Sequence, residues 1–199
     1  HGRDVPLTLN VQHRVADRLV FHKIRAKFGG ELSLIVSGGA ALGVSVAEWF
    51  EAIGIDVREG WGLTETCAPA TANTREHVRL GTVGLPLPSV ELRLDTDGEV
   101  LVRGPGNFRA YHRDPVSTAA CFTADGYFRT GDLGSLDPDG FLRITGRKKA
   151  IIVTAGGKNI APVPIEKDLE GSAIDQAVVI GSERPYLIAL VALDPEFSG

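Results

Sequence analysis

The chain has 199 residues, 43% of them hydrophobic and 23% charged, with a formal net charge of -4. That is ordinary globular composition, long enough for one domain or parts of two, and it predicts a packed core without disorder. The acidic balance gives no electrostatic case for nucleic acid or an anionic membrane surface. No apolar run is long enough to cross a bilayer, and no signal-peptide pattern opens the chain, so a cytoplasmic protein is expected. Cys67 and Cys121 stand alone, form no metal pair and fit a reducing compartment. The chain has no methionine and starts His1-Gly2-Arg3, which reads as an excised piece of a longer protein with a tag remnant. Natural trimming is the other reading.

Val11, Val15, Leu19, Ile24 and Phe28 predict an amphipathic helix over residues 11–28, stopped by Gly29-Gly30. Residues 32–37 form a short apolar run bounded by glycine pairs and predict a buried strand of the parallel-sheet kind. Gly38-Gly39-Ala40-Ala41 then turns the chain. Residues 45–53 predict a second helix with Val46, Trp49, Phe50 and Ile53 on one face, ended by Gly54. Residues 55–58 start another strand that runs into Glu59-Gly60-Trp61-Gly62-Leu63-Thr64-Glu65-Thr66. Strand, helix, strand is a parallel α/β unit. Both glycine-rich segments then leave the carboxyl edge of one sheet, where open α/β sheets bind ligands.

Beyond Pro69 the texture changes. Residues 90–94 and 99–103 alternate as strands around the turn Asp95-Thr96-Asp97-Gly98. Asp114-Pro115 caps a short helix to about residue 122. Residues 127–130 and 141–145 predict strands joined through Asp137-Pro138-Asp139-Gly140, so this region reads as a small antiparallel barrel or meander. After Gly146 come a strand (150–154), a turn at Gly156-Gly157, a helix (164–169) and two strands (177–180 and 187–193). The fold class is therefore α/β with α+β features: a parallel α/β unit and small barrel over residues 1–147, then the start of a small, mobile α/β domain over 148–199.

Phosphate-cradling glycine loops, Gly-x-Ser-x-Gly and metal-ligand clusters are missing. What remains is the stretch 59–66. An aromatic between glycines suits a flat ligand such as a purine. A hydroxyl and a carboxylate behind it suit a magnesium-bound phosphate. Taken alone it is a glycine-rich turn with a helix cap at Thr64. Asp132, after Gly131, is the type of acid that takes both ribose hydroxyls, or else it is a turn cap. Gly146-Arg147-Lys148-Lys149 can neutralise phosphate or serve as a solvated linker. Gly156-Gly157-Lys158-Asn159 is a ligand clamp or a plain turn.

Together, in this order, these segments resemble the adenylate-forming superfamily of acyl-CoA synthetases, luciferases and peptide-synthetase adenylation domains. The matching residues are 37–42, 59–66, Tyr127-Phe128-Arg129-Thr130-Gly131-Asp132, 144–149, 156–162 and Ile165-Glu166. The resemblance covers nearly the whole chain. The Gly-Leu-Thr-Glu-Thr form of the central motif, the Gly-Arg-Lys-Lys seam and the run at 188–196 are most similar to long-chain fatty acyl-CoA synthetases.

The resemblance implies ATP (released as AMP), magnesium, coenzyme A and a fatty acid as the molecules used. ATP and the carboxylate give an acyl-adenylate and pyrophosphate; coenzyme A then displaces AMP. It implies that Gly38, Gly39 and Ala40 line one wall of the nucleotide and acyl pocket. Glu59, Gly60 and Trp61 line the other, with Trp61 stacked on the base. Thr64 meets the phosphates, Glu65 holds magnesium, Asp132 takes the ribose hydroxyls and Arg147 the ribose or phosphates. Lys148 is the hinge about which the small domain swings, and Gly157 lies on the loop that passes the pantetheine arm. Membrane association, where lipid substrates demand it, is expected to be peripheral.

Three positions depart from the family pattern: Trp61 replaces a tyrosine and its hydroxyl, Lys148 a common aspartate, Ala150 a common acid. The phosphate loop is expected upstream of the chain and the adenylation lysine beyond Gly199, so the piece alone is expected to be inactive. An acyl-AMP ligase or amino-acid-activating domain serving a carrier protein, and a non-catalytic nucleotide-binding module, remain open alternatives at this point.

Overall fold

A computed structural model describes residues 7–171 and 173–197. The first elements are α1 (Leu7–Ala16) and α2 (His22–Lys27), joined without a break by a π-helical turn over Asp17–Phe21. The expected amphipathic helix is therefore present and starts earlier. Its apolar stripe faces outward: Val11, Val15 and Leu19 are all more than half exposed. Gly29 and Gly30, both at positive φ, end it as expected.

β1 (Leu34–Ser37) and β2 (Asp56–Leu63) are parallel, joined through α3 (Val44–Ala52). The expected parallel unit is confirmed, with one correction. β1 is an edge strand, not a buried one, and its Val36 is 73% exposed. Ile53 and Ile55, behind α3, supply the buried contacts instead.

β2 does not stop where periodicity suggested. It continues through Glu59-Gly60-Trp61-Gly62 to Leu63 and pairs with β3 (Ala68–Ala72), which pairs with β4 (Leu85–Pro86). So the stretch 59–63 is strand, not turn, and only Thr64–Thr66 form a tight helical turn. Gly62 lies so close to the returning chain that a Cβ there would overlap the Ala68 carbonyl oxygen. A side chain at this position would force the hairpin open.

β5 (Glu91–Leu94), β6 (Glu99–Arg103), β7 (Phe128–Leu136) and β8 (Leu142–Arg147) follow one another as the expected antiparallel meander. α4 (Pro115–Ala120) precedes β7, and Asp114 caps it by accepting from the Ser117 amide, as expected. β7 runs six residues past its predicted end, which puts Asp132 inside a strand opposite Arg147. The core lies between the two sheets: Trp61 and Ala70 from one pack on Val100, Val102 and Leu142 from the other. Leu142 also exchanges backbone hydrogen bonds with Val83 and Gly84, stitching β8 to the first sheet's loop.

The last part holds two hairpins and a helix: β9 (Ile152–Val153) with β10 (Asn159–Ile160), α5 (Pro162–Leu169), and β11 (Ile174–Ile180) with β12 (Ile188–Leu193). α5 packs on β11, where Ala177 and Val179 are buried. Among the described residues no helix is long and apolar enough to cross a membrane.

Candidate active site

β1 and β2 run side by side with Ser37 opposite Glu59, so the chain leaves β1 just as β2 reaches its glycines. Gly38 lies against Gly60; a Cβ there would come within 3.3 Å of the Gly60 carbonyl oxygen. The two strand ends form the floor of a cleft of about 790 Å³. Gly38, Gly39, Gly60, Trp61, Thr64, Glu65 and Arg147 all line it. Seven of the residues expected from sequence thus meet in one place.

Behind the lining runs a buried polar chain whose two ends, Trp61 and Arg147, line the cleft, while Asp132, like Glu59, is buried and not itself among the lining residues. Trp61 is 9% exposed, and its indole N–H donates to Asp132 Oδ2 at 2.9 Å. Arg147 Nε donates to Asp132 Oδ1 at 2.8 Å. Asp132 is buried, whereas the Arg147 side chain is two-thirds exposed. A buried carboxylate needs such partners. Each oxygen keeps a second acceptor site, so a ligand hydroxyl can still be received.

Glu59 accepts the Leu42 amide at 2.9 Å and ties the loop after β1 to β2. Burial is the main influence on its carboxyl and raises its pKa; the Leu42 amide and Arg143 pull the other way. Glu65 is half-buried at the cleft edge, and the Tyr111 hydroxyl donates to its Oε1 at 2.9 Å. That bond, then burial, pushes the Tyr111 phenol up to about 12. Glu65 Oε2 and the Thr64 hydroxyl remain as hard oxygen donors at the rim, the donor chemistry that magnesium takes. Glu65 is the residue that would hold the ion.

The other expected residues lie apart from the cleft lining. Ala40 is exposed on the loop after Gly39. Lys148 turns away and pairs with Asp97 at 2.5 Å and Glu99 at 2.9 Å on the β5–β6 hairpin. Gly157 is exposed, at φ +75°, in the tight turn between β9 and β10. Lys149, read with the basic cluster, also lines the cleft, as do Thr130 and Gly131, which the sequence reading quoted but gave no role; Tyr111, Asp97 and Glu99 it missed. Lys149 and Gly131 adjoin residues already singled out. Tyr111, Asp97 and Glu99 left no local signal, because their partners are distant in sequence.

Residues 7–112 match the AMP-binding enzyme family, and residues 149–198 match the AMP-binding enzyme C-terminal domain. The chain belongs to the AMP-binding enzyme family. It is 48% identical over 191 residues, 96% of its length, to the long-chain-fatty-acid–CoA ligase FadD15 of Mycobacterium bovis. It spans 32% of that AMP-binding enzyme's length, about a third. Among solved structures it superposes on o-succinylbenzoate CoA synthetase of Bacillus subtilis, in complex with its acyl-adenylate intermediate. The TM-score is 0.75 and the identity 29%, over 87% of this chain and 40% of that one. A malonyl-CoA ligase with methylmalonyl-CoA and AMP bound matches with a TM-score of 0.58 and 41% identity, over 92% of this chain and 43% of that one. These AMP-binding enzymes share the mixed α/β architecture described above.

Proposed function

We propose that this chain is part of a long-chain fatty acid–CoA ligase, contributing one wall of its nucleotide site. The carrying observation is the Trp61–Asp132–Arg147 chain, whose ends Trp61 and Arg147 line the cleft and whose buried carboxylate lies behind them, together with the Gly38–Gly60 contact. The reading is supported by the identity to FadD15 and by neighbours that hold an acyl-adenylate in one case and AMP with a CoA thioester in the other.

In this reading the glycines let the base lie against the backbone, and the exposed part of the Trp61 ring offers its stacking face. Asp132 receives ribose hydroxyls, with Trp61 and Arg147 holding its carboxylate in place. Thr64 donates to a phosphate oxygen. Magnesium, bound through Glu65, supplies charge to offset the phosphates. Arg147 stabilises negative charge that develops as pyrophosphate leaves. Lys148 is the hinge at a domain boundary between residues 147 and 148. Gly157 belongs to the part that swings in for thioester formation. Fatty acid and coenzyme A are the remaining substrates, and the protein works in the cytoplasm, peripheral to the membrane that supplies its lipid.

The test uses the full-length protein with ATP, magnesium, palmitate and coenzyme A. Pyrophosphate release and palmitoyl-CoA are expected, and Asp132→Ala should slow adenylation about 100-fold, as loss of a preorganised charged contact does. No thioester with any fatty acid, or near-normal turnover of Asp132→Ala, would sink the reading.

A further inference from the structure

The turn that carries Glu65 is held from behind by a segment that the nucleotide reading does not use. After β6 the chain passes Gly104–Tyr111 and comes hard against residues 64–66. The Phe108 amide donates to the Glu65 carbonyl at 2.7 Å. Gly106 sits so near that a Cβ would be 2.7 Å from the Thr66 carbonyl oxygen, so the close approach needs glycine. Asn107 anchors the segment by donating to the Val102 carbonyl at 2.9 Å. Tyr111 is fixed at both ends. Its amide donates to the Thr118 hydroxyl on α4 at 3.0 Å, and its ring packs on Phe108 at 4.7 Å. Phe108 in turn stacks on Phe122 and meets Phe128 edge-on. The residue is 37% exposed, and its hydroxyl donates to Oε1 of Glu65 at 2.9 Å. Oε2 has no partner among the described residues.

We propose that Tyr111 is a positioning residue for Glu65: its hydroxyl holds one carboxylate oxygen and so presents the other to a divalent cation in the cleft. A free glutamate end group rotates and would have to be ordered when the ion arrives. The tyrosine orders it beforehand, which is how outer partners of metal-binding carboxylates raise affinity. The proposal rests on Glu65 being the cation ligand.

The experiment measures binding of Mn2+ in the presence of ATP, by the loss of its free electron-spin signal, to the full-length protein. The variants are Tyr111→Phe, Glu65→Gln and the two combined. Tyr111→Phe should weaken Mn2+ binding about 10-fold, the low end for loss of such a partner, and Glu65→Gln should weaken it further. The double variant should bind no worse than Glu65→Gln alone, because the hydroxyl acts only through that carboxylate. A merely structural tyrosine would lower the thermal midpoint and add to Glu65→Gln instead. Tyr111→Leu, which also lacks the hydroxyl, should match Tyr111→Phe and guards against one variant failing to fold. Normal Mn2+ affinity in either folded Tyr111 variant, with Glu65→Gln impaired, overturns the proposal alone. Normal affinity in Glu65→Gln overturns it together with the cation role of Glu65.

Discussion

Trp61 joins two environments, because it packs in the core and also lines the cleft. Its N–H bond to Asp132 spans 71 positions of sequence. Trp61→Phe should therefore cost about 1–3 kcal/mol for the buried acceptor left short of a partner, read as a lower urea midpoint. Glu59 makes the pH case. Its folded pKa lies above the ordinary glutamate value because burial disfavours the charge. Its contribution to stability is thus present below that ordinary value and is lost as pH rises through the folded one. Glu59→Gln keeps an acceptor for the Leu42 amide and removes this dependence; an unchanged pH profile of unfolding would contradict the assignment. The site residues were largely legible, since each sits in a short motif with its own chemistry. Their partners were not: a side-chain bond between β2 and β7 has no local signature.

At the level of elements, hairpins with turn signals were read well. The Asp95–Gly98 and Asp137–Gly140 turns join β5 to β6 and β7 to β8 as expected. The failure was at β3. Ala68-Pro69-Ala70-Thr71-Ala72 has neither bulk nor alternation, and Cys67 and Ala68 both enter it at positive φ. Without β3 the central motif looked like a turn, because nothing local told that it had a strand to pair with. Gly62→Ala tests the pairing: the added methyl overlaps the β3 backbone and should cost upward of about 2 kcal/mol, measured by denaturant unfolding. Asp125 shows a second dependence at this scale. Bonds from the Thr123 hydroxyl and Arg93 lower its pKa to about 2. This link supports the β5–β7 side above the ordinary aspartate range and is lost as pH falls toward 2. Asp125→Asn should abolish that part of the acid sensitivity.

For the molecule as a whole, the seam after β8 is where charge is most organised. Arg147 and Lys148 are neighbours in sequence yet pair in different directions, Arg147 with Asp132 and Lys148 with Asp97 and Glu99. The Glu99 carboxylate is buried and also receives Arg129 and the Gly131 amide. Basic residues at a seam were visible in sequence, but the acids that receive Lys148 lie about fifty positions earlier, so a solvated linker remained a reading of that cluster. If the seam is the hinge, these pairs hold one of its settings. Lys148→Gln or Asp97→Asn should loosen it by roughly 1 kcal/mol, the upper range for an exposed pair. That is about a fivefold rise in limited proteolysis across residues 148–151. Raised salt should reproduce the effect in the parent protein and add little in the variants.

The indole–carboxylate bond behind the cleft lining also makes the protein an optical instrument for its own ligand. The chain has two tryptophans, and the other, Trp49, is half exposed on α3. Trp49→Phe leaves Trp61 as the sole emitter in this segment, shielded from water and touching the acid proposed to receive the ribose. Occupation of the cleft should shift its emission wavelength and change its quenching by iodide, a signal readable in milliseconds before any product forms.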